Sequence, residues 1–185
     1  MYLECEYNAC NWGFSGSFSL HPLKNINVWS DGGMIVTNNK KIYSKLLLLR
    51  NHGLVNRDTV KILGYNSRLD TFQAVIGNWI LPKAKSIAKK RIENAKFYDR
   101  SFEDIKEITI PPRIKKVKHV YHLYIVFAKK RDQLLKYCHS KGIKAKDHYP
   151  KPMYLQGFRA SMLQNHCICK VLAPPSSKTI AFVRF

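Results

Sequence analysis

The sequence predicts an α/β fold, because short strand-like apolar segments alternate along the chain with longer segments of helical periodicity. Apolar and small polar residues alternate through 17–20, and a second apolar run follows an Asp-Gly-Gly turn at 34–36. An apolar and aromatic run occupies 119–127. At 185 residues the chain is long enough to bury one sizeable core or two small ones.

Lys24 lies between the first two predicted strands. Pro22 keeps the preceding His21 extended, so we expect Lys24 just past the end of the first strand. Composition favours an ordinary solvated lysine, since the chain contains 32 Lys and Arg residues. A lysine held against an apolar sheet can instead lose its proton and attack a carbonyl carbon. Residue chemistry alone leaves both interpretations open.

A helix is predicted to follow the second strand. Asn38 or Asn39 suits the N-cap, and apolar residues then recur at helical spacing. We expect His52 in the last turn and Gly53 as a left-handed cap. Residues 54–63 are predicted to form a polar connection.

The segment 64–68, with the sequence GYNSR, precedes a helix predicted to begin near Asp70. Asn66 and Ser67 are residue types favoured at the entry to a helix, where backbone amides also attract phosphate. Arg68 suits either an ion pair with Asp70 or an anionic ligand. These alternatives are open at the level of residue types.

A long amphipathic helix is predicted after Pro82, reaching about Asp104, with its lysines forming a solvated face. The run at 119–127 is predicted to be a central strand. His119 and His122 are three residues apart, which does not suit a metal pair on one strand face.

The remaining elements predict a small α+β domain. A helix is expected to begin near Asp132 and to stop at Gly142. A further strand then leads into His148-Tyr149-Pro150, where proline stiffens an extended segment. That segment suits either a rigid surface loop or a stiff support that holds His148 and Tyr149 in place.

Composition restricts the classes of function. A net charge of +20 raises nucleic acid as a partner, but no zinc finger, RNA-binding sheet signature or helix-turn-helix is visible, so nucleic-acid binding is only an alternative. No apolar run approaches about 18 residues and the start lacks a signal-peptide pattern, so we expect no membrane partner. Five scattered cysteines indicate reduced thiols in the cytoplasm. The lone His166-Cys167-Ile168-Cys169 segment predicts no metal site.

Four separated blocks carry a resemblance to a known family. They are Phe18 to Thr37, Arg50-Asn51-His52-Gly53, the segment from Gly64 to Asp70, and His148-Tyr149-Pro150. In this order they resemble the DegT/StrS family of sugar aminotransferases, which use pyridoxal phosphate on the fold-type-I scaffold. The resemblance implies the end of the large α/β/α domain followed by a small α+β C-terminal domain. We therefore expect a partial large, cofactor-binding domain at 1–82, a small C-terminal domain at 83–156 and a divergent tail at 157–185.

The resemblance also implies roles for the individual residues. Lys24 holds pyridoxal phosphate through a Schiff base and serves as acid and base, while Ser19 hydrogen-bonds the cofactor phosphate. Asn66 reaches the phosphate of the neighbouring subunit in a homodimer with shared active sites. The candidate substrate contacts are Arg68, His148 and Tyr149.

The implied reaction is a ping-pong transamination from L-glutamate to a nucleotide-linked keto sugar. Related dehydratases replace the lysine with histidine, so Lys24 favours amino transfer. Glu4 and Glu6 are the only acids before Lys24, and neither stands in the family motif that pairs with the pyridine nitrogen. Residues 1–16 match no known pattern, and the resemblance is expected to stop at Gly157. An inactive, truncated or frame-shifted remnant is therefore the alternative to an active enzyme.

Overall fold

The computed structural model describes residues 2–3, 13–115, 117–148, 150 and 179–182. The chain divides into two compact units. The first contains Met1–Ile92 with Ile114–His122, and the second contains Glu93–Arg113 with Leu123–Phe185. In chain order the described elements are β1 (Tyr2–Leu3), β2 (Gly16–Ser19), β3 (Gly33–Val36), α1 (Lys40–Leu49), β4 (Leu54–Asn56), β5 (Thr59–Val60), α2 (Thr71–Ile80), a 3₁₀ turn (Leu81–Lys83), α3 (Ala84–Phe102), β6 (Ile108–Thr109), β7 (Val117–Lys118), β8 (Tyr124–Ala128), α4 (Arg131–Ser140), β9 (Ala145–Asp147) and β10 (Thr179–Phe182).

The first unit contains the predicted pair of strands, β2 and β3, which are antiparallel neighbours. Backbone hydrogen bonds close the long loop between them: the N–H of Leu20 donates to the Gly32 carbonyl over 2.8 Å, and the N–H of Val28 donates to the Leu20 carbonyl over 2.9 Å. Leu20 and Val28 are buried, so the loop has its own apolar anchor. Lys24 therefore lies on a closed loop.

Helix α1 begins where the sequence predicts and ends earlier than expected. The side chain of Asn39 accepts hydrogen bonds from the backbone N–H groups of Lys41 and Ile42, which confirms the predicted cap. The prediction that His52 lies in the last turn is wrong, because α1 ends at Leu49. His52 and Gly53 both have positive φ, at 56° and 73°, and so leave the helical region.

Residues 54–63, predicted to be a polar connection, instead contain the β4–β5 hairpin. The N–H of Asp58 donates to the side-chain oxygen of Asn56 over 3.1 Å, which is a local turn of the kind that Asn favours. Helix α2 begins beside Asp70, whose carboxylate accepts from the N–H of Phe72 over 2.9 Å. The predicted start near Asp70 is thereby confirmed.

The second unit is organised around a four-stranded antiparallel sheet of order β6-β8-β10-β9. Its central strand, β8, buries Tyr124, Val126 and Ala128. The predicted strand over 119–127 is wrong in extent, because regular pairing starts only at Tyr124. Tyr121, at φ 47°, has a left-handed conformation that a strand cannot contain.

Helix α4 of the second unit lies close to its predicted position. It covers Arg131–Ser140, close to the predicted start at Asp132, and Gly142 follows at φ 72°. Within the described parts of the chain no helix has both the length and the apolarity to cross a bilayer. Cys167 and Cys169 lie outside the described residues. The division into domains at residues 82 and 156 stays a prediction.

Candidate functional site

Lys24 is half-buried on the loop that joins β2 and β3. Its backbone N–H donates to the His21 carbonyl over 2.8 Å, and the N–H of Leu23 donates to Nδ1 of the same His21 over 3.2 Å. These two bonds form a tight turn around Lys24. Its side-chain Nζ lies 3.3 Å from Nε2 of His122, so the amine is held within the first unit.

Ser19 lies at the end of β2, beside the same turn. Its Oγ accepts a hydrogen bond from the N–H of His21 over 3.3 Å, and the side chain is exposed. A hydroxyl that accepts one bond can still donate its own hydrogen, for example to an anion. The structure therefore places the predicted phosphate ligand and the predicted lysine on one hydrogen-bonded turn.

The segment 119–122 is the part of this site that sequence reasoning missed. The side-chain Nδ2 of Asn25 donates to the Val120 carbonyl over 2.8 Å, and Nη1 of Arg91 donates to the Tyr121 carbonyl over 3.0 Å. Burial lowers the pKa of Arg91. The sequence signal for this segment is the pair His119 and His122, whose spacing argues only against a shared metal ion. Among the described residues, no group of three or more His, Cys, Asp or Glu is arranged to hold a metal ion.

Asn66 and Arg68 form a second hydrogen-bonded cluster in the first unit. Nε of Arg68 donates to the side-chain oxygen of Asn66, and Nη1 donates to that of Asn51, both over 3.2 Å. The suggested ion pair between Arg68 and Asp70 is thus replaced by bonds to neutral amides. Helix entry is also not the role of Asn66, because Asp70 caps α2. The guanidinium keeps a positive charge suited to an anion.

A groove of about 900 Å³ lies in the first unit, between the β2–β3 hairpin, α1 and the segment 65–69. Apolar side chains and two arginines are among the residues that line it, including Phe18, Met34, Ile35, Leu47, Arg50 and Arg68. The side chains of Met34 and Ile35, both on β3, are 42% and 53% exposed in the described part of the chain. Lys24 and Ser19 do not line the groove, which makes it a feature separate from the lysine turn.

His148 belongs to the second unit, where it follows β9 and is half-buried. The preceding Asp147 is 3.4 Å from Nη1 of Arg131, an ion pair that anchors the end of β9. Tyr149 lies outside the described residues. The substrate roles predicted for both residues stay predictions.

The side chains of the first unit fit pyridoxal phosphate. Lys24 offers a half-buried amine that lies 3.3 Å from an imidazole nitrogen, and a lysine amine is the group that condenses with an aldehyde. Ser19 offers a hydroxyl, and Asn66 and Arg68 offer an amide and a cation suited to a phosphate. Glu4 and Glu6 lie outside the described residues. A lysine amine together with anion-binding groups is the donor set that an aldehyde phosphate requires.

Comparison with known sequences gives matches over most of the chain. Residues 5–172 match the profile of the DegT/DnrJ/EryC1/StrS aminotransferase family, a range that extends past Gly157, where the resemblance was expected to stop. The chain is 34% identical over 152 residues to the pleiotropic regulatory protein of Geobacillus stearothermophilus, covering 81% of this chain and 41% of that protein. It is 36% identical over 146 residues to UDP-4-amino-4,6-dideoxy-N-acetyl-beta-L-altrosamine transaminase of Helicobacter pylori, covering 74% and 38%.

Solved structures show the same fold. The aminotransferase PseC of Helicobacter pylori, involved in the biosynthesis of pseudoaminic acid, matches with a TM-score of 0.83 at 28% identity, covering 97% of this chain and 50% of that chain. DesV of S. venezuelae, solved with a ketimine intermediate, matches with a TM-score of 0.80 at 27% identity, covering 92% and 46%. The chain thus spans about two fifths of the curated relatives just named. The predicted fold class, a partial fold of the pyridoxal-phosphate-dependent transferases, is confirmed.

Proposed function

This chain belongs to the DegT/DnrJ/EryC1/StrS aminotransferase family, and on that premise we propose that it carries the lysine-bearing part of a sugar aminotransferase. The observation that carries the proposal is the position of Lys24. Lys24 is half-buried on a closed loop, and its amine lies 3.3 Å from Nε2 of His122 rather than free on the surface. An amine held in one place is suited to bond with an aldehyde.

We propose that the reaction transfers the amino group of L-glutamate to a keto sugar attached to a nucleotide, in the cytoplasm. The names of several relatives support this substrate class, since they specify amino sugars linked to UDP or dTDP. Pyridoxal phosphate supplies the carbonyl and the electron sink on which amino groups are exchanged. The chain's own part is to hold the cofactor through Lys24 and to move a proton with the same amine.

We propose that the anion-binding residues work in a homodimer with shared sites. In a single chain, the described hydrogen bonds of Asn66 lie in the Arg68 cluster and those of Lys24 lie on the other turn. We propose that a second copy of the chain brings its Asn66 to the cofactor phosphate beside Ser19. Arg68, His148 and Tyr149 are proposed to contact the nucleotide sugar, and residues 1–82 to belong to the cofactor-binding domain.

The test is transfer of a labelled amino group. Purified protein loaded with pyridoxal phosphate is incubated with L-[¹⁵N]glutamate and a UDP-linked keto sugar, and the amino-sugar product is analysed by mass spectrometry. We expect ¹⁵N in the product, none with Lys24→Ala, and unchanged transfer with Lys45→Ala, which alters an exposed lysine of α1. Transfer that survives Lys24→Ala contradicts the assignment, and a folded wild-type chain without transfer favours the inactive remnant.

Shared sites make a separate prediction. Lys24→Ala and Asn66→Ala proteins are each inactive alone, but mixing them restores roughly a quarter of the wild-type rate, because random pairing makes half of the dimers mixed and each mixed dimer has one intact site. No recovery after mixing, despite confirmed subunit exchange, contradicts a site shared across the dimer.

A further inference from the structure

The contact between Lys24 and His122 joins two parts of the chain that are 98 residues apart in sequence. Both side chains are half-buried in the first unit. The distance of 3.3 Å between Nζ and Nε2 is within reach of a hydrogen bond. A local turn cannot produce this contact, so the fold itself brings the imidazole to the amine.

The backbone that carries His122 is held in an unusual conformation. Tyr121, directly before it, has φ 47°, a left-handed value that is rare for a residue with a bulky side chain. Such a conformation persists where the surrounding structure holds it, and it is found often at functional sites. Tyr121 is only 8% exposed, and its N–H donates to Nδ1 of His119 over 3.0 Å. The segment is thus packed and bonded rather than loose.

Two side chains from other elements hold the carbonyls around Tyr121. Asn25, the residue after Lys24, donates to the Val120 carbonyl over 2.8 Å. Arg91, on α3, donates to the Tyr121 carbonyl over 3.0 Å and lies 3.4 Å from the His122 carbonyl. Because Asn25 is adjacent to Lys24, the segment and the lysine loop are joined at two points. One is the bond from the Asn25 side chain to the Val120 carbonyl, and the other is the contact between the side chains of Lys24 and His122.

We propose that His122 is a positioning residue for Lys24, with its Nε2 fixing the direction of the lysine amine, and that Asn25 and Arg91 act through it by holding its segment. The effect of His122 on amino transfer rests on the proposed function, whereas its effect on the direction of the Lys24 amine does not. An imidazole suits this role, because its Nε2 can share a hydrogen bond with the amine in a direction that the plane of the ring fixes. The geometric part can be tested without any cofactor.

The first measurement is competitive acetylation of the unloaded full chain with trace acetic anhydride. The labelling of Lys24 is compared by mass spectrometry with that of Lys45 in the same molecules. His122→Phe, which keeps a ring but removes the hydrogen bond, is expected to speed Lys24 acetylation about threefold to tenfold, the range that one ordinary hydrogen bond corresponds to. His122→Gln, which keeps an amide within reach, and His139→Gln, in the second unit, are expected to leave it near the wild-type value.

The second measurement is steady-state amino transfer by the same variants after loading with pyridoxal phosphate. If His122 positions Lys24, kcat should fall about threefold to tenfold in His122→Phe, the same factor as for acetylation, while KM for the nucleotide sugar stays unchanged. In His122→Gln, kcat should return to near the wild-type value. Circular dichroism checks the fold of each variant. If His122→Phe fails to fold, Asn25→Ala takes its place, since it loosens the segment without altering the imidazole, and the same increase in Lys24 labelling is expected.

The outcomes separate the two claims. Unchanged Lys24 labelling in folded His122→Phe overturns the positioning role, whatever the activity. If Lys24 is labelled faster in His122→Phe but kcat is unchanged, the claim that His122 positions Lys24 for amino transfer is overturned. If the wild-type chain transfers no amino group at all, the proposed function fails, and the labelling ratio alone decides whether His122 holds the amine.

Discussion

Tyr124→Phe removes one hydroxyl from the centre of the second unit and leaves the aromatic ring in place. The ring is fully buried in β8, with the ring of Tyr98 5.1 Å away between centroids. The hydroxyl donates to Oδ1 of Asp99 over 2.9 Å. Burial, together with the neighbouring carboxylate, raises the pKa of Tyr124, so the hydroxyl remains a proton donor at neutral pH.

The loss of stability expected for Tyr124→Phe depends on the other partners of Asp99. A hydrogen bond to a charged group contributes about 1.5–3 kcal/mol. Asp99 keeps two bonds from Arg113, at 2.6 and 3.0 Å, and its side chain is 25% exposed, so water partly replaces the lost hydroxyl. We therefore expect Tyr124→Phe to lower the free energy of unfolding by about 1–2 kcal/mol at pH 7, at or below the lower end of that range.

The loss depends on pH. Burial alone raises the pKa of Asp99, but the hydrogen bonds from Arg113 and Tyr124 outweigh it and lower the pKa below its ordinary value. A carboxyl group with a lowered folded-state pKa contributes stability above its unfolded pKa of about 3.9, and that stability is lost as the pH falls through the folded value. The difference between wild type and Tyr124→Phe is therefore largest at neutral pH and shrinks as the pH falls below about 3.9, through the lowered pKa of Asp99.

The assay is urea unfolding followed by circular dichroism at pH 7 and at about pH 3.5. Tyr137→Phe is the matched control, because Tyr137 is 58% exposed on α4, and we expect its variant to unfold like the wild type. A Tyr124→Phe protein as stable as the wild type at pH 7, or one whose loss grows on acidification, would refute the reasoning.

Three further predictions concern the local structure. Gly53→Ala should lower the free energy of unfolding by more than about 2 kcal/mol, because φ is 73° and a Cβ there overlaps the Ile62 carbonyl. Gly142→Ala, at φ 72° in open space, should lower it by only about 1 kcal/mol. Equal losses for the two variants in urea unfolding would contradict this. Asp70→Ala removes the α2 cap and should cost about 1 kcal/mol in the same assay, and a neutral result would mean that the cap is dispensable. Burial raises the pKa of Cys138, so iodoacetamide should alkylate it faster in urea than in the folded chain, and equal rates would contradict its burial.

Elements marked by local chemistry were predicted from sequence. Asn39, one of the two predicted caps, caps α1, and α2 begins beside Asp70, near the predicted start, because a cap depends on a side chain and the next two or three amides. The strands on either side of Lys24 also follow their alternation and the Asp-Gly-Gly turn. For such elements, nearest neighbours in sequence contain most of the physical information.

Features that depend on distant contacts were missed. The run at 119–127 has the composition of one strand, yet Tyr121 breaks it, and the groups that hold this break, Asn25 and Arg91, are far away in sequence. The β4–β5 hairpin lacks the glycine that signals a short turn in a sequence. Its turn is instead stabilised by the side chain of Asn56, which accepts a hydrogen bond from the N–H of Asp58. His122 could not be assigned to Lys24 for the same reason.

The most direct test of the central claim is to locate the reduced cofactor on the chain. The protein is incubated with pyridoxal phosphate, treated with borohydride, digested and analysed by peptide mass spectrometry. The account predicts the modification on the peptide that contains Lys24, its loss in Lys24→Ala and its retention in Lys45→Ala. Cofactor spread evenly over surface lysines, or trapped equally well by Lys24→Ala, would contradict the account.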